Sequence, residues 1–450
     1  MCSFSIRSMG KRLGVATLRR RSFFSSGIPT ASAELCRQLL FSMQLTVIFF
    51  VVASLASSAS AQNATTSPPS MVLQSGLPSL RLVRTLAAPN EVSTLGMLQS
   101  GNFGLTWSPD GERLAAYVHN GLGIITWSPD GKYQHEFPRY SSFGLDACCL
   151  NFLSGHRLII ASPAAETNSP EDWDKMNGMA FAVLDAETGK VLRNVAGPNP
   201  SGRSNENTAT DIATSPDERF VAVIYREFTD RRVGIYSTGD WQRVAALDLR
   251  NGNRSIQVDP QGVVFSPDGR TLAVLHNSRV KLFEVGSWTL SRSIEVFPDT
   301  VPRGNALVFG ALAFSPDGTM IAAASNGGGS WWTYPNGKIA AEGYGVLRPY
   351  FPAEPLRVFR VADGALVASL GLFPGGIART QLVWSPKGNY LGFLDGVGDI
   401  RFWDPFRPGA SAPVTRMGLH SRTLRFSKDG SQLVANFEGG VKVFDVVTHP

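Results

Sequence analysis

Cysteine is scarce in this sequence, with four in 450 residues, and two of those, Cys2 and Cys36, lie within the first 61. The rest of the chain keeps only the adjacent pair Cys148 and Cys149, which excludes a disulfide framework or a cysteine-based zinc site. Adjacent strand residues point to opposite faces, so the pair reads as two small apolar side chains, with a strained vicinal disulfide as the alternative. Histidine is equally sparse, and His119, His135, His156, His276, His420 and His449 show no metal-ligand spacing. No nucleophile elbow, phosphate-cradling glycine loop or dinucleotide fingerprint occurs in a fitting context. Charged residues make up 17% of the chain, below the roughly 25% of ordinary soluble domains.

The formal net charge of +6 does not point to nucleic acid. Seven of the 42 basic residues and one of the 36 acidic ones fall in residues 1–61, leaving 35 of each sign in the remainder. A neutral body has no electrostatic footprint for a phosphate backbone, so no nucleic-acid partner is expected.

What the chain has in abundance is glycine (45), proline (28) and apolar residues (43%). Together these fit many short elements joined by tight turns around a large core, and they exclude disorder for most of the length.

Residues 38–80 contain no charge, and residues 45–56 (LTVIFFVVASLA) form a short apolar run followed by small residues and a cleavage site before Gln62. This is the pattern of a secretory signal peptide. The expectation is an exported protein, periplasmic or secreted, with a leader over 1–61, a flexible linker over 62–79 and a body over 80–450. An uncleaved membrane anchor over 39–56 is the alternative, and the only route to a membrane. About 40 residues precede the apolar run, more than a signal needs, so Met43 is a second candidate start. The Arg19-Arg20-Arg21 cluster admits a twin-arginine signal, and the acid-poor Arg/Ser stretch admits a transit peptide.

The body is a repeat. The phrase apolar-Ser-Pro-Asp-Gly-x-x-apolar occurs as TWSPDGERLAAY, VFSPDGRTLAVL and AFSPDGTMIAAA. Degenerate copies read ATSPDERFVAVI, VWSPKGNYLGFL, RFSKDGSQLVAN and NFLSGHRLIIAS, which makes seven units. Pro and Asp suit the opening of a tight turn, Gly supplies positive φ, and the flanks are β-branched or alternating, so each unit is a hairpin. A third strand follows, as in VGIYSTGD, VKLFEVGS and LRVFRVADG, and then a more polar fourth. Four strands per unit describe a propeller blade, and the fold class is an all-β, seven-bladed β-propeller. A further SPDG at 128–131 falls between third and fourth strands and reads as a turn, not an eighth blade. The last unit stops after three strands, while LRLVRTL at 80–86 has no unit of its own. It is expected to supply the missing outer strand and latch the ring.

These hairpins resemble the WD-repeat and TolB-like (YVTN-type) propeller repeats over essentially all of 80–450. The namesake dipeptide ends a third strand only at Trp403-Asp404, no Gly-His pair opens a unit, and the Asp-His-Ser/Thr-Trp relay has no full set in any unit. The resemblance implies a propeller but carries over no partner.

In such a blade the SPDG turns lie on one side of the disc, and the longer connections (162–177, 196–208, 297–309, 325–355) lie on the other. Loops elaborated on a rigid scaffold are where binding resides. The 325–355 insertion gathers Trp331, Trp332, Tyr334, Tyr344, Tyr350 and Phe351, and the 162–177 insertion adds Trp173. These aromatics are the candidate binding residues for a protein or a carbohydrate; folding back as a lid on the blade edge is the alternative. The starts of the innermost strands offer Asn102, Asp146, Asp211 and Gln381, too few for the metal centre of a channel-type, lactonase-like hydrolase. The sequons at Asn63 and Asn253 matter only in a eukaryotic source. The reading is a monomeric, non-enzymatic binding module with no cofactor and no metal; the alternatives are that hydrolase and a carbohydrate-binding envelope protein.

Overall fold

The computed structural model describes residues 77–87, 104–118, 123–138, 149–160, 171, 176–199, 207, 209–225, 232–249, 262–276, 279–296, 310–325, 329–333, 346–350, 356–371, 377–395, 398–407, 414–417, 423–437 and 440–448. All lie in the compact unit Val72–Pro450.

The repeated turn shows why its four residues recur. Ser108 Oγ donates to Asp110 Oδ1 at 2.5 Å and accepts the Arg113 N–H at 2.8 Å, and Asp110 Oδ1 accepts the Glu112 N–H at 2.9 Å. Gly111, at φ 79°, donates its N–H to the Ser108 carbonyl. The same serine–aspartate bond forms at Ser128, Ser215, Ser266, Ser315 and Ser427. Where Lys387 replaces the acid, Asn389 Oδ1 takes its place, accepting from Ser385 Oγ at 2.7 Å. The Ser427 hydroxyl is the main reason the Asp429 carboxyl is pushed down to about 2. Such a turn contributes stability above the ordinary value of 3.8 and loses it as pH falls toward 2. Neighbouring turns also tile. A Cβ on Gly318 would lie 3.6 Å from Pro267 Cδ, one on Gly388 3.6 Å from Pro316 Cδ, and one on Gly430 3.1 Å from Pro386 Cδ. Each of these three turns thus rests its glycine on the preceding turn's proline.

One strand, β1 (Ser79–Ala87), precedes the repeats. The first blade is β2 (Leu105–Trp107), β3 (Leu114–Val118), β4 (Gly123–Trp127) and β5 (Gln134–Pro138). The extra SPDG joins β4 to β5 in that sheet and founds no blade of its own. The second blade is β6 (Leu150–Leu153), β7 (Arg157–Ile160), β8 (Met179–Asp185) and β9 (Val191–Ala196). The third is β10 (Ala209–Thr214), β11 (Phe220–Tyr225), β12 (Arg232–Ser237) and β13 (Arg243–Asp248). The fourth is β14 (Gly262–Phe265), β15 (Thr271–His276), β16 (Arg279–Glu284) and β17 (Leu290–Glu295). In the fifth, β18 (Gly310–Phe314) and β19 (Met320–Ser325) are followed by an added hairpin, β20 (Gly329–Thr333) and β21 (Val346–Tyr350). The blade then resumes with β22 (Leu356–Arg360) and β23 (Leu366–Leu370). The sixth is β24 (Ile377–Trp384), β25 (Leu391–Asp395) and β26 (Ile400–Trp403); the seventh is β27 (Leu424–Phe426), β28 (Gln432–Phe437) and β29 (Gly440–Val447).

Among the described residues every strand pairing is antiparallel and joins chain neighbours, apart from β19 with β22, which spans the added hairpin, and one pairing that closes the ring. β1 pairs with β29 from Ser79↔Val447 to Ala87↔Gly440, giving the order β1-β29-β28-β27. This is the latch expected from the sequence. Leu86 of that strand is buried with Leu114 and Trp127 of the first blade and Val434 and Val443 of the seventh. Arg84 Nη1 donates to the Pro129 carbonyl at 2.7 Å, so the extra SPDG turn is a seat for the latch.

In the sixth blade the described residues form three strands, and beyond them Thr415 bridges Ile400, each N–H on the other's carbonyl at 3.0 Å. The chain after β26 carries Pro405, Pro408 and Pro413, which cannot donate to a ladder.

The hydrophobic clusters lie between blades, so each blade is half of two cores. Ile159 and Phe181 of the second blade pack with Val221 and Tyr236 of the third. Three bulky residues hold positive φ at these seams, which is costly for any side chain but glycine. Trp241 (φ 61°) sets its ring edge-on to Phe181 at 6.1 Å, and Trp288 (φ 56°) to Phe220 at 5.1 Å. Glu218 (φ 57°) replaces the glycine of the third blade's turn. Its carboxylate accepts the Ser154 N–H at 2.9 Å and the Ser154 hydroxyl at 2.7 Å from the second blade. Glu218→Ala keeps the strain and loses the clamp, so it is expected to lower unfolding free energy by about 2 kcal/mol, while Glu218→Gly, relieved of strain, loses less. Urea titration of both variants checks the order; equal losses would mean that the positive φ at Glu218 carries no strain, and no loss in either would mean that the clamp contributes nothing.

Candidate functional site

The turns within each blade, first to second strand and third to fourth, are short and lie on one side of the disc. The connections from second to third strand and from blade to blade leave the other side, among them the long ones β7 to β8, β9 to β10, β13 to β14, β17 to β18 and β19 to β22. The aromatic insertion is more ordered than a glycine-rich loop. Its flanks pair as a hairpin from Gly329↔Tyr350 to Thr333↔Val346, with Trp331 opposite Arg348 and Trp332 opposite Leu347. Ser330-Trp331-Trp332-Thr333 and Val346-Leu347 are strand formers, a preference that the surrounding glycines mask. The structure therefore places Trp331, Trp332 and Tyr350 on one two-stranded sheet. Their side chains, and the whole of Tyr334, Tyr344, Phe351 and Trp173, lie outside the described residues.

The second surface is the central channel. The inner strands run from the insertion side to the turn side and enclose a cavity of about 570 Å³. Counting back from the turn serine puts the inner strands of all seven blades in common ranks. Four residues before it stand Gly104, Leu150, Asp211, Gly262, Ala311, Gln381 and Thr423; two before it stand Thr106, Phe152, Ala213, Val264, Ala313, Val383 and Arg425. Each rank thus has one charged residue, and both charged side chains line the channel.

Asp211 follows a bulge between Ala209 and Asp211. Its Oδ1 accepts its neighbour Ile212's N–H, its Oδ2 accepts the Val263 N–H of the fourth blade, both at 2.9 Å, and Cys149 Sγ lies 3.5 Å from Oδ1. Burial outweighs these donors and the attraction of Arg425, and pushes the carboxyl up to about 6. Burial likewise lowers the Arg425 guanidinium to about 10 against the pull of Asp211. The two charges act on each other across the channel. Lys428, exposed in the last blade's turn, adds a second cation at the far mouth.

Of the inner-strand starts singled out from sequence, Asp211 is brought into the channel. Asn102 and Asp146 lie outside the described residues, as does the Gln381 side chain. Among the described residues no three His, Cys, Asp or Glu side chains gather as a metal cage. Cys149 is disulfide-bonded, not the reduced apolar residue first expected, and its partner cysteine is outside the described residues. Sequence reasoning missed Arg425 because it weighed only strand starts; comparing the seven units rank by rank isolates it.

No family model matches the sequence, and no curated protein does. Solved structures do match. A chain in the crystal structure of the mitotic checkpoint complex superposes with a TM-score of 0.56 at 14% identity, covering 85% of this chain and 96% of that one. At that identity the likeness is one of fold alone, that of a β-propeller.

Proposed function

We propose that the protein is an exported, non-enzymatic scaffold that binds a partner protein through its insertion-bearing face. The observation that carries this reading is that five long connections, one of them bearing the added β20–β21 hairpin, leave the same side of the disc. A disc with tiled tight turns on one side and elaborated segments on the other presents a single variable surface on a rigid frame. The structural neighbour, itself a component of a protein complex, agrees with a scaffold role.

Binding is assigned to the aromatics of the hairpin, because Trp and Tyr give large contact area at low entropic cost. Replacing Trp331 and Trp332 together by alanine is expected to reduce recovery of the partner in a native-compartment pull-down by about tenfold or more, with the melting temperature unchanged. Full recovery of every partner by the double variant would overturn the assignment.

Export follows from the charge-free segment and its 45–56 apolar run. N-terminal sequencing of protein recovered from its native compartment is expected to begin at Gln62. A chain that retains residues 39–56 would instead be anchored by them.

A further inference from the structure

The channel is electrically polar along its axis. Asp211 lies near the insertion-side mouth, Arg425 two ranks deeper, and Lys428 at the turn-side mouth. At roughly 3.3 Å per strand residue, two ranks separate the Asp211 and Arg425 backbones by about 7 Å along the axis.

Three further features bear on what would fit there. The walls beside Asp211 are Gly262, Gly310 and Ala311, which leave backbone exposed to the cavity. The inner strands of all seven blades are terminal in their sheets, so a bound amide would meet backbone edges there, with the Val263 N–H and the Ile212 carbonyl already taken by Asp211 and Asn151. An ionised carboxylate has about four acceptor positions, and two backbone N–H groups occupy Asp211, leaving capacity for a charged donor.

We propose that the channel is a binding site for a short zwitterionic peptide of about two residues, its free ammonium received by Asp211 and its free carboxylate by Arg425 and Lys428. Length selects the class: an extended chain spans about 3.3–3.6 Å per residue, so a dipeptide covers the interval and a single amino acid covers half of it. Volume agrees, since about 570 Å³ falls within the usual range for small-ligand cavities. The site is separate from the β20–β21 hairpin, and the two assignments stand or fall apart.

The test uses calorimetric titration of the purified chain with alanyl-alanine, its N-acetyl and C-amide derivatives, and free alanine. Alanyl-alanine is expected to bind, and each cap to weaken it at least about tenfold, the effect of deleting one charge-assisted contact. Free alanine is expected to bind more weakly than the dipeptide. Asp211→Asn should abolish the penalty of the N-acetyl cap and leave that of the C-amide. Gly262→Ala adds a methyl 3.9 Å from Asp211 Oδ2 with no close contact, and should weaken binding without altering the melt. No binding of alanyl-alanine at about 10 mM, or caps that each change affinity less than tenfold, would overturn the proposal. The cap comparison needs no mutation, so it decides the matter even if a variant does not fold.

Discussion

A chain lacking residues 78–89 is expected to melt about 10 °C or more below the intact protein and to aggregate on heating. Deletion removes the eight paired positions of β1 with β29 and takes Leu86 out of the seam between the seventh and first blades. Burial of one leucine is worth about 1.5–3 kcal/mol. With the lost pairing and the Arg84 bond to Pro129, the total is on the order of 5 kcal/mol, and each kcal/mol is worth about 2 °C in a large domain. The exposed Arg81–Asp445 pair at 2.6 Å adds little. Aggregation follows because β29 becomes an open edge. Leu86→Ala is the milder version, expected to cost about 3 kcal/mol with the strand still present. Differential scanning calorimetry of both variants checks the assignment, and a deletion that left the melt unchanged would mean that the ring does not depend on its latch.

Asp211→Asn is expected to make the protein more stable at neutral pH. The carboxyl titrates at about 6 in the folded chain against 3.8 for its ordinary value. A group with a raised folded value contributes stability fully below the lower figure and loses it as pH rises through the higher one. Above pH 6 the ionised Asp211 therefore costs the fold at most about 3 kcal/mol. The asparagine amide can satisfy only one of the two N–H donors on the carboxylate, which returns about 1 kcal/mol and leaves a net gain of about 2. Urea titrations from pH 4 to 7.5 should show wild-type stability falling between about pH 4 and 6 relative to the variant. Parallel curves would show that Asp211 is not desolvated as its position in the channel implies. Glycine, alanine or threonine serves at the same rank in other blades, so the fold itself does not require a charge there.

Much of this architecture was legible because the turn is chemically strict. Serine, aspartate and glycine each have one job in it, so seven imperfect copies could be aligned, and the orphan run at 80–86 could be matched to the strand missing from the last unit. Where geometry depends on partners from another blade, the sequence is mute. Glu218 looks like a lapse from the motif until Ser154 of the neighbouring blade is seen against its carboxylate. Trp241 and Trp288 occupy left-handed positions for the sake of rings across a seam. The prolines after the third strand of the sixth blade, which cannot donate to a ladder, are displayed by the sequence itself. In the channel, Asp211 was visible as a strand start, and Arg425 only by position relative to six other units. The aromatic hairpin was legible in composition but not in conformation.

The bond between Arg81 and Asp445 joins residues 364 apart, and this sets a schedule for biosynthesis. At roughly 5–20 residues per second, about 20–70 s separate the synthesis of the two strands it joins. During that interval blades can form against their neighbours, but the first strand has no partner and the circle stays open. Closure thus waits until β29 has been made, and a ribosome that stalls before β29 leaves a chain that cannot complete its ring.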